Sequence, residues 1–214
     1  MTHDPIARLR AQASRGDYAS MVRLAVALYA QGLRPPRVLR ECFGVEFPLE
    51  FFVTARANRT NPGLLAHYTN LPWQLGVPPD QGGPRRSALA MTDGSERRIF
   101  ARDPDLVPLM LLVGYGSKFD DMMVCYRLSE LLAGSATVFG IKKTVDPGDQ
   151  EARCGESLLA VLRAHHVSYL EHKEWIIQQP SEWGAGAHTR QDVDAAAALV
   201  RRVEELQREA GASG

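Results

Sequence analysis

Between residues 106 and 143 the chain reads LVPLMLLVGYGSKFDDMMVCYRLSELLAGSATVFGIKK, where the apolar runs are short, turn-bounded and rich in strand formers. No other long region has this character, so the remainder is expected to form helices packed against it. The run 109–113 stops at Gly114-Tyr115-Gly116-Ser117, and a second, 122–128, begins after Lys118-Phe119-Asp120-Asp121. Two strands joined by a polar turn account for that spacing. Within the second run polarity changes mainly at Arg127, the pattern of a strand buried on both faces or nearly so. A third run, 137–141, closes on Lys142-Lys143, as a strand whose end reaches solvent would. The expected fold class is α+β: a small antiparallel sheet packed with helices, with an N-terminal helical hairpin and C-terminal helices.

From the N-terminus, Asp4-Pro5 forms an N-cap and first-turn pair, and Ile6, Leu9 and Ala13 fall on one face of the helix that follows. Gly16 breaks it. Asp17 caps a second helix, whose apolar stripe of Tyr18, Met21, Val22, Ala25, Leu28 and Tyr29 ends at Gly32. The segment GDYASMVRLAVALYAQG resembles half of a Sel1 or tetratricopeptide-type repeat. Such arrays need several stacked units, so a single copy reads as a packed helical hairpin. After Pro35-Pro36 a short helix turns Val38, Leu39, Cys42 and Phe43 inward and ends at Gly44. Pro48 suits the first turn of the next helix, which runs to about Ala57, with Phe47 packing back on Phe51 or Phe52 as a staple.

Residues 63–105 carry weaker signals. They read as a helical turn at 64–68, a short strand at 73–77, a loop at 78–86, and a hairpin with arms 87–91 and 97–101 around Thr92-Asp93-Gly94-Ser95. Beyond the sheet, Asp146-Pro147-Gly148-Asp149 is a turn and Ser157 to about Gln178 is a helix. A Trp-bearing break spans 180–186. Thr189 with Asp192 then opens a last helix that sets Val193, Ala196, Val203 and Leu206 against a charged, solvated face.

Composition narrows the function classes. The 214 residues carry 25 basic and 25 acidic side chains, so no global field draws the chain to nucleic acid or to an anionic membrane. Three widely spaced cysteines, Cys42, Cys125 and Cys154, read as reduced thiols of a cytosolic protein. With neither a signal-peptide core nor a membrane-length apolar run, the expected location is the cytoplasm.

Four groups of residues carry possible chemistry. His165 and His172 are seven apart and share a helix face, but no third ligand stands at the four-residue spacing that zinc helices use, so no metal is assigned. Gly114 to Lys118 lacks phosphate-loop spacing and precedes a strand, so it reads as a turn. Asp120-Asp121 reads as turn-forming acid, since adjacent strand carboxylates point to opposite faces. Trp73 and Trp183, each near Pro and Gly, are either exposed anchors for a partner or lids on the core edge. No nucleophile motif occurs and no cofactor is implied.

FGVEFPLEFFVTARA resembles the opening of the SUKH superfamily, the SMI1/KNR4-like proteins. PLMLLVGYGSKFDDMMVCYRL followed by TVFGI resembles that family's strand, glycine-rich turn, strand, strand core, and CGESLLAVL its Ser-led helix. The likeness covers roughly residues 36–175. It leaves the N-terminal hairpin and the last helix outside, so the expected organisation is an N-terminal helical hairpin at 1–34, a SUKH-like α+β domain at 35–179 and a C-terminal helical extension at 180–214. The resemblance implies a non-catalytic immunity protein, an antitoxin that binds a cognate bacterial toxin, commonly a nuclease; the balanced charge and the lack of a membrane-length run add the expectation that it contacts neither nucleic acid nor membrane directly. The partner surface expected on this reading comprises Trp73, Tyr115, Asp120, Asp121 and Trp183. A different class remains open: a hydrolase-type or metal-binding enzyme with His165, His172 and Asp121 brought together by the fold. An intracellular scaffold or regulator is the third reading.

Overall fold

The computed structural model describes residues 5–58, 65–115, 120–146, 148–179 and 189–212. Four helices come first: α1 (Pro5–Gln12), α2 (Tyr18–Ala30), α3 (Pro35–Phe43) and α4 (Leu49–Asn58). The short strand β1 (Ala66–Tyr68) and helix α5 (Ala90–Arg102) lead into β2 (Leu106–Leu112) and β3 (Met122–Arg127). A brief helix α6 (Leu128–Leu132), strands β4 (Val138–Lys142) and β5 (Ala152–Gly155), and the long helices α7 (Leu158–Gln178) and α8 (Arg190–Ala212) complete the chain. The fold is α+β, with a small antiparallel sheet among helices.

Local chemistry sets most helix ends. The Asp17 carboxylate accepts from the Ala19 N–H to cap α2, and Ser157 Oγ accepts from the Ala160 N–H to cap α7. Gly44 ends α3 at φ 78°, where a side chain would be strained. Phe47 lies 5.0 Å from Phe51, ring to ring, and fixes the entry into α4. Asp192 accepts from the Thr189 N–H at 2.7 Å and from its hydroxyl at 3.1 Å, closing the start of α8.

The sheet is a meander, β1-β2-β3-β4-β5, antiparallel at every step. Period-two alternation sends Val107, Met110, Leu112, Val124, Tyr126 and Val138 into the main core against α2, α3, α4, α7 and α8. That core is continuous from Ile6 in α1 to Leu206 in α8. The opposite face buries Leu106, Leu111, Met123, Cys125 and Ile141 with Ile99 of α5. Coverage of both faces explains why β2 and most of β3 lack polar alternation.

Pro108 is tolerated in β2 because the register with β3 shifts between Pro108 and Met110, where a ladder N–H is dispensable. The carbonyl freed at this bulge, that of Leu109, accepts from the Thr69 N–H at 3.1 Å and from the Trp73 indole N–H.

The segment 63–105 differs from expectation. Residues 90–102 form helix α5, not a hairpin around Thr92-Asp93-Gly94-Ser95. The helix is imposed from outside by the buried carboxylate of Glu96. It accepts from Thr92 Oγ1 at 2.6 Å, Asn70 Nδ2 at 2.8 Å, the Asn70 N–H at 2.9 Å and the Leu71 N–H at 3.3 Å. The Asn70 side chain clasps the backbone of Leu89, just before α5. Residues 66–68 are an edge strand rather than a helical turn, and 71–76 are turns rather than a strand. Strand β5 has no expected counterpart. Among the described residues no helix is long and apolar enough to cross a membrane.

Candidate functional site

The residues singled out in the sequence separate in space. Trp73 is 3% exposed and belongs to the core: its ring stacks on Phe51 at 4.3 Å and meets Tyr68 edge-on at 4.4 Å. It presents no surface to a partner, which corrects its reading as an exposed anchor. Trp183 lies outside the described residues.

Tyr115, Asp120, Asp121, His165 and His172 do gather, where the β2–β3 connection meets the middle of α7. The Tyr115 ring sits between the two histidines, 5.4 Å from His165 and 5.4 Å from His172. It is 9% exposed, so it supports this face from beneath rather than projecting from it. Spacings of three and four along α7 then carry the row outward. Tyr169 meets Tyr115 edge-on at 5.2 Å, and Trp175, three residues beyond His172, lies nearly parallel to that imidazole at 6.2 Å. Trp175 is 41% exposed, the largest exposed apolar side chain among the described residues. Lys173 holds its ammonium 5.3 Å from the Tyr169 ring centroid.

Beside this row lies a cleft of about 330 Å³. Leu112, Gly140 and Ile141 are its buried lining, His165 and Met122 are half-buried in it, and the exposed Asp120, Lys142, Gln150 and Ala152 with the half-buried Asp121 line the rest. Leu112, Met122 and Lys142 lie at the ends of adjacent strands β2, β3 and β4, in register across the sheet. Gly140 has no room for a side chain: a Cβ there would stand 2.5 Å from Met122 Sδ and 2.6 Å from Cys154 Sγ.

The two aspartates have different roles. Asp121 accepts from the Gly114 N–H at 2.9 Å and from Lys143 Nζ at 3.0 Å. These bonds hold its carboxyl below the ordinary carboxylate range and make it the brace of the β2–β3 turn. Asp120 is an open rim charge, 3.7 Å from Lys142, with both side chains mostly exposed.

The adjacent histidines also differ. His166 is fully buried: its Nδ1 is 2.6 Å from the Leu162 carbonyl and its Nε2 accepts from the Leu65 N–H at 3.2 Å. That pairing fixes a neutral imidazole tying α7 to the start of β1. The pKa of His165 is pushed down to about 4 by burial and by His166 beside it, against the pull of the Leu65 and Val113 backbone, and its Nε2 is enclosed without a hydrogen-bond partner.

Among the described residues no group of three or more His, Cys, Asp or Glu is placed to hold a metal ion; His165 and His172 flank Tyr115 instead of converging. A neutral His165 with so low a pKa is a weak base near pH 7, and Asp121 is committed to its turn. A rigid aromatic row beside a cleft with a buried apolar lining and exposed charges is suited to protein recognition. Trp175, Lys142 and Lys143 were not among the residues anticipated for the site. The signal for Trp175 was its place three residues after His172, on the face already marked by His165.

Comparison of the chain with protein-family models, with curated proteins and with solved structures gives no match.

Proposed function

We propose that this chain is a protein-binding domain of the immunity type, which neutralises a cognate bacterial toxin in the cytoplasm by direct, stoichiometric occlusion. The observation that carries the reading is the exposed Trp175, backed by His172 and Tyr115 in an aromatic row whose other end, His165, lines a cleft that also takes in Asp120 and Lys142. A Trp held by a helix loses little freedom on binding, and such residues dominate interface energetics. The resemblance of the central strands and the FGVEFPLEFF segment to SUKH proteins supports the same reading. The formal net charge of zero favours a partner recognised by shape and apolar contact over one captured by long-range charge, whether or not it is a nuclease.

The test is co-expression. A protein captured by the tagged chain should arrest growth when expressed alone and be harmless with the wild-type chain. Trp175→Ala should weaken the complex by roughly 30-fold or more, as loss of a central aromatic anchor does. Undiminished protection and affinity in both Trp175→Ala and Lys142→Glu would remove this face from the account. A captured partner with no toxicity would move the reading to a scaffold or regulator.

The second reading is a hydrolase, favoured by the shared position of His165 and Asp121 on one cleft. Any such activity should vanish in His165→Gln and leave protection from toxin unexplained.

A further inference from the structure

The turn joining α1 to α2 faces the end of α5 across a cleft of about 420 Å³ that shares no lining residue with the one beside α7. The turn is held firmly. The Asp17 N–H donates to the Ser14 carbonyl at 2.8 Å, and Ser20 Oγ accepts from the Ser14 N–H at 3.0 Å while donating to the Asp17 carbonyl at 2.8 Å. Arg15 therefore leaves a fixed backbone, and it lines the cleft.

Its Nη1 is enclosed yet has no hydrogen-bond acceptor, and among the described residues no carboxylate lies within ion-pair distance of Arg15. Burial lowers the guanidinium's proton affinity and Asp105 opposes this from a distance. The Asp105 carboxylate is itself taken up by the Ser129 N–H and hydroxyl and by Arg127. A buried cationic N–H without an acceptor is rare in a folded protein, because it forfeits hydration and gains nothing in return. Across the cleft stands Arg97, which gives one nitrogen to Asp93 at 2.8 Å and stays largely exposed, so it keeps donors to spare. Phe100, Ala101 and Pro104 form the apolar wall.

We infer that this cleft binds an oxyanion, a phosphate or carboxylate group carried by a small molecule, with the half-buried Arg15 as the inner cation and Arg97 as the outer one. Two guanidinium planes match the paired oxygens of either group, and the Phe100–Pro104 wall accommodates an apolar body attached to it. The volume is in the range of small-molecule sites. This inference is independent of the toxin-binding reading, whose face lies elsewhere.

The experiment titrates the purified full chain with inorganic phosphate and, separately, with succinate, at ionic strength held constant with chloride, following heat of binding and thermal unfolding. At least one anion should bind saturably and raise the unfolding temperature above the chloride control. Arg15→Met should weaken that binding at least tenfold, Arg15→Lys should weaken it less, and Arg97→Met should weaken it several-fold. Response to phosphate alone identifies a phosphate ligand, and response to succinate alone a carboxylate. If Arg15→Met does not fold, the exposed Arg97→Met variant decides. The inference is overturned if neither anion exceeds chloride, or if the binding seen is unchanged in the folded variants.

Discussion

Glu50 in α4 accepts a 2.7 Å hydrogen bond from the backbone N–H of Leu158, the first residue of α7, across 108 positions of sequence. The same buried carboxylate accepts from the Leu159 N–H at 3.2 Å and from the Tyr126 hydroxyl of β3 at 2.8 Å. One acid thus satisfies two of the orphan donors at the start of α7 and joins that helix to the sheet beneath the candidate site.

Glu50→Ala should therefore lower the free energy of unfolding by about 2–4 kcal/mol, since it leaves three buried donors without an acceptor. Glu50→Gln keeps one carbonyl acceptor and should lose less, about 1–2 kcal/mol. Urea denaturation followed by circular dichroism measures both. A Glu50→Ala variant within about 0.5 kcal/mol of wild type, the size of an ordinary surface substitution, would contradict the role.

Trp73→Ala should destabilise by about 3–5 kcal/mol through loss of the Phe51 stack and the Tyr68 edge contact. Trp73→Phe retains ring packing but leaves the Leu109 carbonyl short of one donor, and should fall between that variant and wild type. Thermal unfolding ranks the three. Folded Trp73→Phe should bind the partner as wild type does, because Trp73 is buried.

Acid should weaken the fold through α7's histidines. The pKa of His165 is lowered to about 4 and that of His166 is lowered as well, both chiefly by burial, whereas a free histidine titrates near about 6.5. The unfolded chain then binds more protons, so the stability is fully present above about pH 6.5 and is lost as pH falls from there toward 4. Each such group adds at most about 1.4 kcal/mol per pH unit, less for His165, which retains contact with solvent. Glu96, pushed upward by burial, acts in the opposite sense. The decisive comparison is between variants: His165→Gln should show a shallower loss from pH 6.5 to 5 than wild type in matched urea titrations. Identical slopes would contradict the assignment.

Gly140→Ala would place a methyl group 2.5 Å from Met122 Sδ and 2.6 Å from Cys154 Sγ. Overpacking of this kind costs about 1–3 kcal/mol. Because Met122 is a flexible neighbour, adding Met122→Ala should recover part of the loss, and a double-mutant cycle by denaturation reads the coupling. Strictly additive losses would mean that the cleft lining is looser than its contacts indicate.

What could be read from the sequence was what neighbouring residues determine. Asp17, Gly44, Ser157 and the Thr189–Asp192 pair act within a few residues of themselves, and each marked its helix end. Strands β2, β3 and β4 were visible because burial on both faces made their apolar runs continuous. Helix α5 was misread because Asp93-Gly94-Ser95 has turn chemistry, while the contacts that enforce the helix come from Asn70, Leu71 and Ile99's place on the sheet. Strand β5 carries exposed Ala152 and Arg153 at the sheet edge and has no apolar signature. At the candidate site the shared face of His165 and His172 was legible from their spacing. The wedge of Tyr115 between them was not, because it depends on how a turn fifty residues earlier docks against α7.

The most direct measurement is parallel capture from native cell lysate at moderate salt on the wild-type chain and on Trp175→Ala, with mass spectrometry of the retained proteins and growth assays of any partner expressed alone. The account predicts one stoichiometric, growth-arresting partner on the wild-type chain, depleted at least tenfold on Trp175→Ala while the variant keeps its wild-type unfolding temperature. Equal retention of that partner on both chains, or a retained partner that does not arrest growth, would contradict it.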